Sequence, residues 1–365
     1  MSEHTTANPI PSLASAKFQL SSAKSAQAGF ARDVAMDFTK GALVLFMVLY
    51  HWLNYFIGSE GHYYNYLRFL TPSFIFISGF MISQIHLPRH ETNGRSLAKR
   101  LIVRGIKLLA VFFALNLLIS LISLSLPAGN TALGRSLHNL SWAFVVANPS
   151  AVGGQKGISF SMLVPISYLL ILSALLAFIS RSVRQLTYAF RYTLLLLVMI
   201  IILLISHNVD SSYLDLLMVG TLGIVIGFAR KNQINSIISH PYVLIVLYCI
   251  YLSVISFVSV SLPLQVVSVI LTTALLYIMG KGKTVPSTVH KDIVLLGKYS
   301  LLGYISQIAI LQGLRRFHWL SQHGVGALLL SLFLGILLTW IVVRVTDIMI
   351  RKSRVANSLY RLVFA

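Results

Sequence analysis

Four polar residues fall on one line of an apolar segment near the N-terminus, MDFTKGALVLFMVLYHWLNYF. Steps of three or four residues connect the members of this line, two of them apolar: Asp37, Lys40, Val44, Met47, His51 and Asn54. Because such steps keep residues on one face of an α-helix, the segment predicts a helix with a single polar stripe. A cation in such a stripe can hold phosphate groups, and a histidine further along can act as a general base.

His51 lies far from the end of this predicted helix. At about 1.5 Å of rise per residue, it is roughly 16 Å from Lys40 along the helix axis. A charge deep in a membrane helix costs at least ~2.5 kcal/mol, so Lys40 is expected to pair with Asp37. His51 is either a neutral histidine hydrogen-bonded within a helix bundle or a base. A donor with a polyphosphate head and a long thin arm, such as acyl-coenzyme A, would reach from Lys40 to His51.

The composition places these residues in a membrane. Of 365 residues, 56% are hydrophobic and only 10% are charged, whereas a soluble domain carries about 25% charged residues. Apolar runs of about the length of a bilayer span occur at 38–57, 68–86, 104–126, 159–180, 192–207, 213–229, 241–260, 262–280, 295–314 and 325–350. The sequence therefore predicts an all-α, polytopic integral membrane protein with about ten transmembrane helices. The Gly223 and Gly227 pair predicts close helix packing in the sixth run.

The formal net charge of +20 is a topology signal. Most of the 29 Lys and Arg residues fall in alternate connections and in the two tails. By the positive-inside rule this pattern predicts cytoplasmic N- and C-termini. Anionic lipid headgroups, rather than nucleic acid, are the expected partners of the charge. Cys249 is the single cysteine, so no intrachain disulfide can form.

Three motifs resemble those of the transmembrane acyltransferase superfamily, which includes the acyltransferase-three family, relatives of heparan-α-glucosaminide N-acetyltransferase and succinyltransferases of periplasmic glucans. The first is a basic residue followed after ten residues by histidine, Lys40 to His51. The second is FIFISGFM at 74–81, and the third is LLGKYSLLGYISQIAIL at 295–311. Lys40 stands where arginine is common in the family, which retains the charge without the bidentate geometry. Gln307 stands where a histidine is often found.

The resemblance implies transfer of an acyl group, acetyl or succinyl, from cytoplasmic acyl-CoA to a hydroxyl of a cell-surface or periplasmic glycan. His51 would be the base or a transient acyl carrier, and Lys40 with Asp37 would orient the donor. The remaining candidates for substrate or cofactor binding are Ser78, Arg100, Arg104, Lys107, Asn54 and Gln307. The basic residues among them are also explained by positive-inside topology alone, which is the favoured interpretation. The Ser78 hydroxyl is explained as well by a hydrogen bond to a carbonyl of its own helix. No metal is expected.

The predicted organisation is a disordered cytoplasmic tail at 1–35, a transmembrane acyltransferase domain at 36–350 and a cytoplasmic tail at 351–365. The expected location is the bacterial inner membrane. On the last span, Arg344 and Asp347 are three residues apart and predict an ion pair. The alternative function is a membrane transporter or glycan flippase in which Asp37, Lys40 and His51 relay protons.

Overall fold

Helices make up nearly all of the computed structural model, which describes residues 33–58, 61–86, 94–124, 160–182, 188–209, 211–229, 239–282, 285–317 and 324–364. In chain order they are α1 Val34–Trp52, α2 Tyr63–Leu67, α3 Leu70–Met81, α4 Gly94–Leu124, α5 Leu163–Ser182, α6 Tyr188–Val209, α7 Ser212–Gly227, α8 Pro241–Phe257, α9 Leu262–Lys281, α10 Ser287–Lys298, α11 Ser300–Arg315, α12 Gly324–Lys352 and α13 Arg354–Phe364. Short π-helical turns extend α1 over Leu53–Ile57 and α3 over Ile82–His86. These ranges contain no strand, which confirms the all-α prediction.

Five of the described helical segments are long and apolar enough to cross a membrane. They are Val34–Ile57, Tyr63–Ile85, Arg95–Ile119, Leu262–Lys281 and Gly324–Lys352. The bent pair formed by α10 and α11 supplies a sixth candidate, and four shorter apolar helices lie within α5, α6, α7 and α8. The chain is therefore a multi-pass membrane protein. Ten spans with both termini in the cytoplasm stay a prediction.

The first helix lies within the bundle and packs against α9, α10, α11 and α12. Two glycines allow its backbone to meet that of α10 directly. A Cβ atom at Gly297 would lie 1.6 Å from the Asp37 carbonyl oxygen, and one at Gly41 would lie 1.8 Å from the Ile293 carbonyl oxygen. Only glycine fits such an approach, so this contact sets where the Asp37 end of α1 lies relative to α10.

The predicted small-residue packing is confirmed between α3 and α7. A Cβ atom at Gly223 would lie 2.2 Å from the Phe76 carbonyl oxygen, and one at Gly227 would lie 1.9 Å from the Ser83 hydroxyl. Across the same contact, a Cβ atom at Gly79 would lie 2.0 Å from the Gly220 carbonyl oxygen. This contact positions α3 along the stretch that includes the 74–81 motif.

The span predicted at 295–314 is bent near its start, because α10 and α11 meet at an angle of 90°. Tyr299, between them, has φ −112° and ψ 32°, which departs from helical geometry. Tertiary contacts hold this joint: the buried Tyr299 hydroxyl donates to Asp347 Oδ1 on α12 at 2.7 Å. The Tyr299 carbonyl accepts from the Gly303 N–H at 2.8 Å, which begins the new helix. The bend turns Lys298 and Tyr304 toward the same space.

Candidate active site

A cavity of about 280 Å³ lies between α1, α3, α4, α5, α10, α11 and α13. Its lining includes four cations from three separate stretches of the chain, namely Lys40, Arg104, Lys107 and Lys298. Among the described residues that line it there is no carboxylate. The remainder of the wall is mostly apolar and includes Phe74, Leu163, Leu170 and Leu301. This combination suits a ligand with an anionic head and a thin, less polar arm.

Asp37 and Lys40 form the predicted i,i+3 ion pair, with Lys40 Nζ 2.8 Å from Asp37 Oδ1. The Asp37 carboxylate is buried and is not part of the described lining, whereas Lys40 lines the cavity. An ion pair with a buried partner restricts the lysine to few rotamers. The pair therefore orients the Lys40 ammonium at the cavity surface.

Lys298 is a cavity residue that sequence reasoning missed. Its Nζ is 2.9 Å from Asp347 Oδ1, and Arg351 binds the other oxygen of the same carboxylate at 2.7 Å. Of these two cations only Lys298 lines the cavity. The Arg351 side chain is 70% exposed. Lys298 lies within the 295–311 motif, so its position in that motif could have identified it as a candidate site residue.

The predicted pairing of Arg344 with Asp347 is wrong. Arg344 Nη1 instead lies 3.0 Å from Asp292 Oδ1 on α10. The i,i+3 spacing on α12 made a local pair possible, but α10 brings an acidic and a basic residue alongside α12. Both ion pairs therefore form between α10 and α12: Arg344 pairs with Asp292, and Lys298 pairs with Asp347.

The basic candidates on α4 divide between the cavity and the surface. Arg104 and Lys107 line the cavity, whereas Arg100 is exposed and does not appear on the described lining. Lys107 Nζ also donates to the Arg361 carbonyl oxygen of α13 at 3.3 Å. Ser78 lines the cavity too, and its hydroxyl donates to the Phe74 carbonyl oxygen at 2.8 Å. The hydroxyl's lone pairs still allow it to accept a hydrogen bond from a ligand.

Tyr304 connects the cavity to His51. The Tyr304 ring lines the cavity, and its centroid is 6.2 Å from that of His51. The Phe160 ring meets Tyr304 edge-on at 6.2 Å, and the Tyr304 hydroxyl has a hydrogen bond to the Met162 backbone. His51 is not part of the lining itself. Tyr304 therefore lies between the cavity and the histidine, a role that sequence reasoning did not assign to it.

Both imidazole nitrogens of His51 are buried and have no hydrogen-bond partner among the described residues. Its ring stacks on Tyr55 at 6.0 Å and meets Tyr50 edge-on at 5.3 Å. Buried polar atoms are nearly always hydrogen-bonded to protein, water or ligand. The neutral, internally hydrogen-bonded histidine considered from the sequence is therefore not what the described residues provide.

Gln307 is a second buried polar group without a described partner at either amide atom, and it is 0% exposed. It lies four residues from both Gly303 and Leu311, on the face of α11 that packs against α1. That face meets Val44 at Gly303 and Val48 near Leu311. Gln307 consequently lies on the side of α11 that looks toward α1, although it does not line the cavity.

Asn54 lies outside the regular part of α1. The α-helix ends at Trp52, and Asn54 belongs to the π-helical turn Leu53–Ile57. Because a π-helix has i to i+5 hydrogen bonds, the 3.6-residue periodicity behind the predicted stripe ends before Asn54. The stripe holds as α-helix from Asp37 to His51, and Asn54 is half-buried away from the described lining.

Fold and cavity together define a class: a multi-pass helical membrane protein with a cationic internal cavity that ends beside a buried histidine. A family model described as an acyltransferase domain matches residues 33–344. The chain therefore belongs to the acyltransferase-3 family and is a membrane acyltransferase. No curated protein and no solved structure matches it.

Proposed function

We propose that this protein moves an acetyl or succinyl group from cytoplasmic acyl-CoA to a hydroxyl of a cell-surface or periplasmic glycan. The observation that carries the proposal is a cavity that has four cations on its wall and Tyr304, next to His51, at its side. At about 280 Å³ the cavity is small for a ligand pocket, whose usual range is about 300–1,000 Å³. It suits the arm of acyl-CoA, with the nucleotide remaining toward the entrance.

The four cations would bind the donor by its phosphates. Lys40, Arg104, Lys107 and Lys298 come from α1, α4 and α10, so their charges converge only in the folded bundle. A hydrogen bond between a charged lysine or arginine and a phosphate is shorter and roughly twice as strong as a neutral one. The head of the donor would thus be held at the end of α1 that carries Asp37, and this end would face the cytoplasm.

His51 would act as the general base on the acceptor. One of its unpartnered nitrogens takes the proton of the glycan hydroxyl as the hydroxyl oxygen attacks the thioester carbon. The carbon–sulfur bond breaks, and the CoA thiolate takes the proton back from His51, so that an ester and free CoA result. The Tyr304 hydroxyl would donate to the developing oxyanion. A two-step route through an acylated His51 has the same balance.

The alternative of a transporter or flippase finds less support in these contacts. A proton relay needs a continuous chain of hydrogen-bonded groups, as relays in pumps have. Asp37 and Lys40 pair with one another, but the described residues include no hydrogen-bonded connection from this pair to His51. The location that fits the proposal is a bacterial inner membrane with both termini in the cytoplasm, and membrane lipids and the carbohydrate acceptor are the proposed partners.

Inverted membrane vesicles and a panel of labelled acyl-CoAs test the proposal. Label should enter the glycan fraction with the wild type and fall at least about 100-fold with His51→Ala, since general base catalysis contributes about 10²–10⁴-fold. His62→Ala, which alters an exposed histidine, is the matched control and should retain activity. Lys40→Ala should raise the donor KM, whereas the exposed Lys99→Ala should not.

Two results would overturn the proposal. The first is full label transfer by His51→Ala. The second is movement of a glycan across the vesicle membrane with no consumption of any acyl-CoA, which would favour the transporter.

A further inference from the structure

The last helix, α13, has a row of apolar side chains that are exposed on the surface of the bundle. It follows α12 after a single residue, Ser353, at the end of a membrane-crossing helix. Val355, Leu359 and Leu362 are 69%, 59% and 68% exposed. Their spacing of four and three residues puts them on one face of the helix. A face of this kind, on a helix next to a membrane span, is typical of helices that lie in the membrane interface.

A second face of α13 closes the cavity. Tyr360 and Val363 are part of the cavity lining. The Tyr360 ring meets Tyr299 edge-on at 5.3 Å, beside the joint of α10 and α11. The Arg361 carbonyl is one of the last four carbonyls of α13, which accept no hydrogen bond from within the helix. Lys107 Nζ donates a hydrogen bond to it at 3.3 Å. The same helix is thus tied to a cavity cation and supplies part of the cavity wall.

The third face is basic. Arg354 and Arg361 are exposed and seven residues apart, so they lie on the same side of α13, next to the apolar row. Lys352, at the end of α12, adds another exposed cation. Basic side chains beside an apolar face attract the anionic headgroups of a bilayer and discriminate against a neutral one. The charge therefore identifies the surface that the apolar row fits as an anionic lipid leaflet.

We propose that α13 lies in the interface of the leaflet at this end of the bundle, docked on anionic lipid, and that docking holds Tyr360 and Val363 in place as the wall of the donor site. Anionic lipid is then a positive regulator of donor binding. The docking part stands on the faces of α13 alone, whereas the regulatory part rests on the proposed function. Each arginine near an anionic surface changes the docking constant by about fivefold.

A fluorescent probe on α13 tests docking without any need for activity. The exposed Cys249 is replaced in Cys249→Ser, and bimane is attached through Leu359→Cys in nanodiscs of phosphatidylcholine, with or without about a third phosphatidylglycerol. Lipids brominated near the headgroup should quench this probe, and more strongly when phosphatidylglycerol is present. Asn357→Cys, on the side of α13 opposite the apolar row, is the control and should be quenched much less.

Equal quenching at the two positions, or none at Leu359→Cys, would overturn docking. Docking would also be overturned if shielding of the Leu359 probe from water depended on the number of protein copies per nanodisc and not on the lipid composition. A second copy of the chain would then cover the apolar row.

Donor kinetics test the regulatory part in the same nanodiscs. The donor KM should fall several-fold when phosphatidylglycerol is added, with kcat within about twofold. The double variant Arg354→Gln, Arg361→Gln should lose this response, whereas the exposed Arg316→Gln, at the opposite end of α11, should keep it. The regulatory part would be overturned if the donor KM did not change with lipid charge while the probe at Leu359→Cys was quenched as expected. Absence of acyl transfer from every donor would count against the proposed function, and the quenching result would still decide docking.

Discussion

Replacement of Lys298 by glutamine separates the two tasks of this residue. Lys298 binds Asp347 at 2.9 Å and also lines the cavity. Arg351 binds the same carboxylate at 2.7 Å but is 70% exposed and does not line the cavity. Lys298→Gln and Arg351→Gln therefore remove equivalent partners of Asp347, and only the first removes a charge from the donor site.

The magnitude follows from these contacts. A hydrogen bond to a charged group contributes about 1.5–3 kcal/mol, and the half-buried Lys298 belongs at the low end, about tenfold in donor KM. Asp347 retains one cation and the Tyr299 hydroxyl in either variant. Both variants should consequently lose no more than about 1 kcal/mol of stability.

The assay is the initial rate of label transfer over a range of acyl-CoA concentrations, with the thermal midpoint measured on the same samples. We expect about a tenfold rise in donor KM for Lys298→Gln and an unchanged KM for Arg351→Gln, with similar midpoints. Equal effects of the two variants on KM would refute the reasoning, because the lysine would then act only through Asp347.

Three further predictions concern the packing and the chemistry of the site. Gly297→Ala should lower the thermal midpoint by an amount equivalent to about 1–3 kcal/mol, since its Cβ would lie 1.6 Å from a carbonyl oxygen of α1; Gly313→Ala, with nothing within 4 Å, should not. Tyr304→Phe should lower kcat about 100-fold and leave the donor KM nearly unchanged if the hydroxyl donates to the oxyanion, and an unchanged kcat would remove it from the chemistry. Ser331→Ala should cost about 1–3 kcal/mol in a denaturation assay, because Trp52 Nε1 donates to the Ser331 hydroxyl at 2.7 Å; a midpoint equal to wild type would contradict this.

Local features of the fold were predictable from the sequence because they depend on neighbours along the chain. Hydropathy alone identified apolar segments that the described residues show as helices, and the spacing of Asp37 and Lys40 predicted their ion pair. The glycine spacing in α7 predicted its close approach to α3. Each of these follows from side-chain periodicity or residue size, which hold wherever the helix is placed.

The candidate site was only partly predictable. Lys40, Ser78, Arg104 and Lys107, proposed from the sequence, do line one cavity. His51, Asp37, Asn54, Arg100 and Gln307 lie off its described lining, and Tyr304 stands between the cavity and His51. A motif names residues in order along the chain, but which of them reaches a cavity depends on how helices from distant segments are rotated against each other.

By itself, the sequence determined an all-helical membrane chain, the stripe on α1 and the three motifs that indicate the family. The tertiary structure decided which charges meet. The bend at Tyr299 brings Lys298 to the cavity. Asp292 and Lys298 of α10 pair with Arg344 and Asp347 of α12, which would otherwise be placed to pair with each other. Helix α13, in the predicted C-terminal tail, forms part of the cavity wall. The physical reason is that helix periodicity sets the direction of a side chain only about its own axis, whereas pairing across helices depends on packing between segments far apart in the chain.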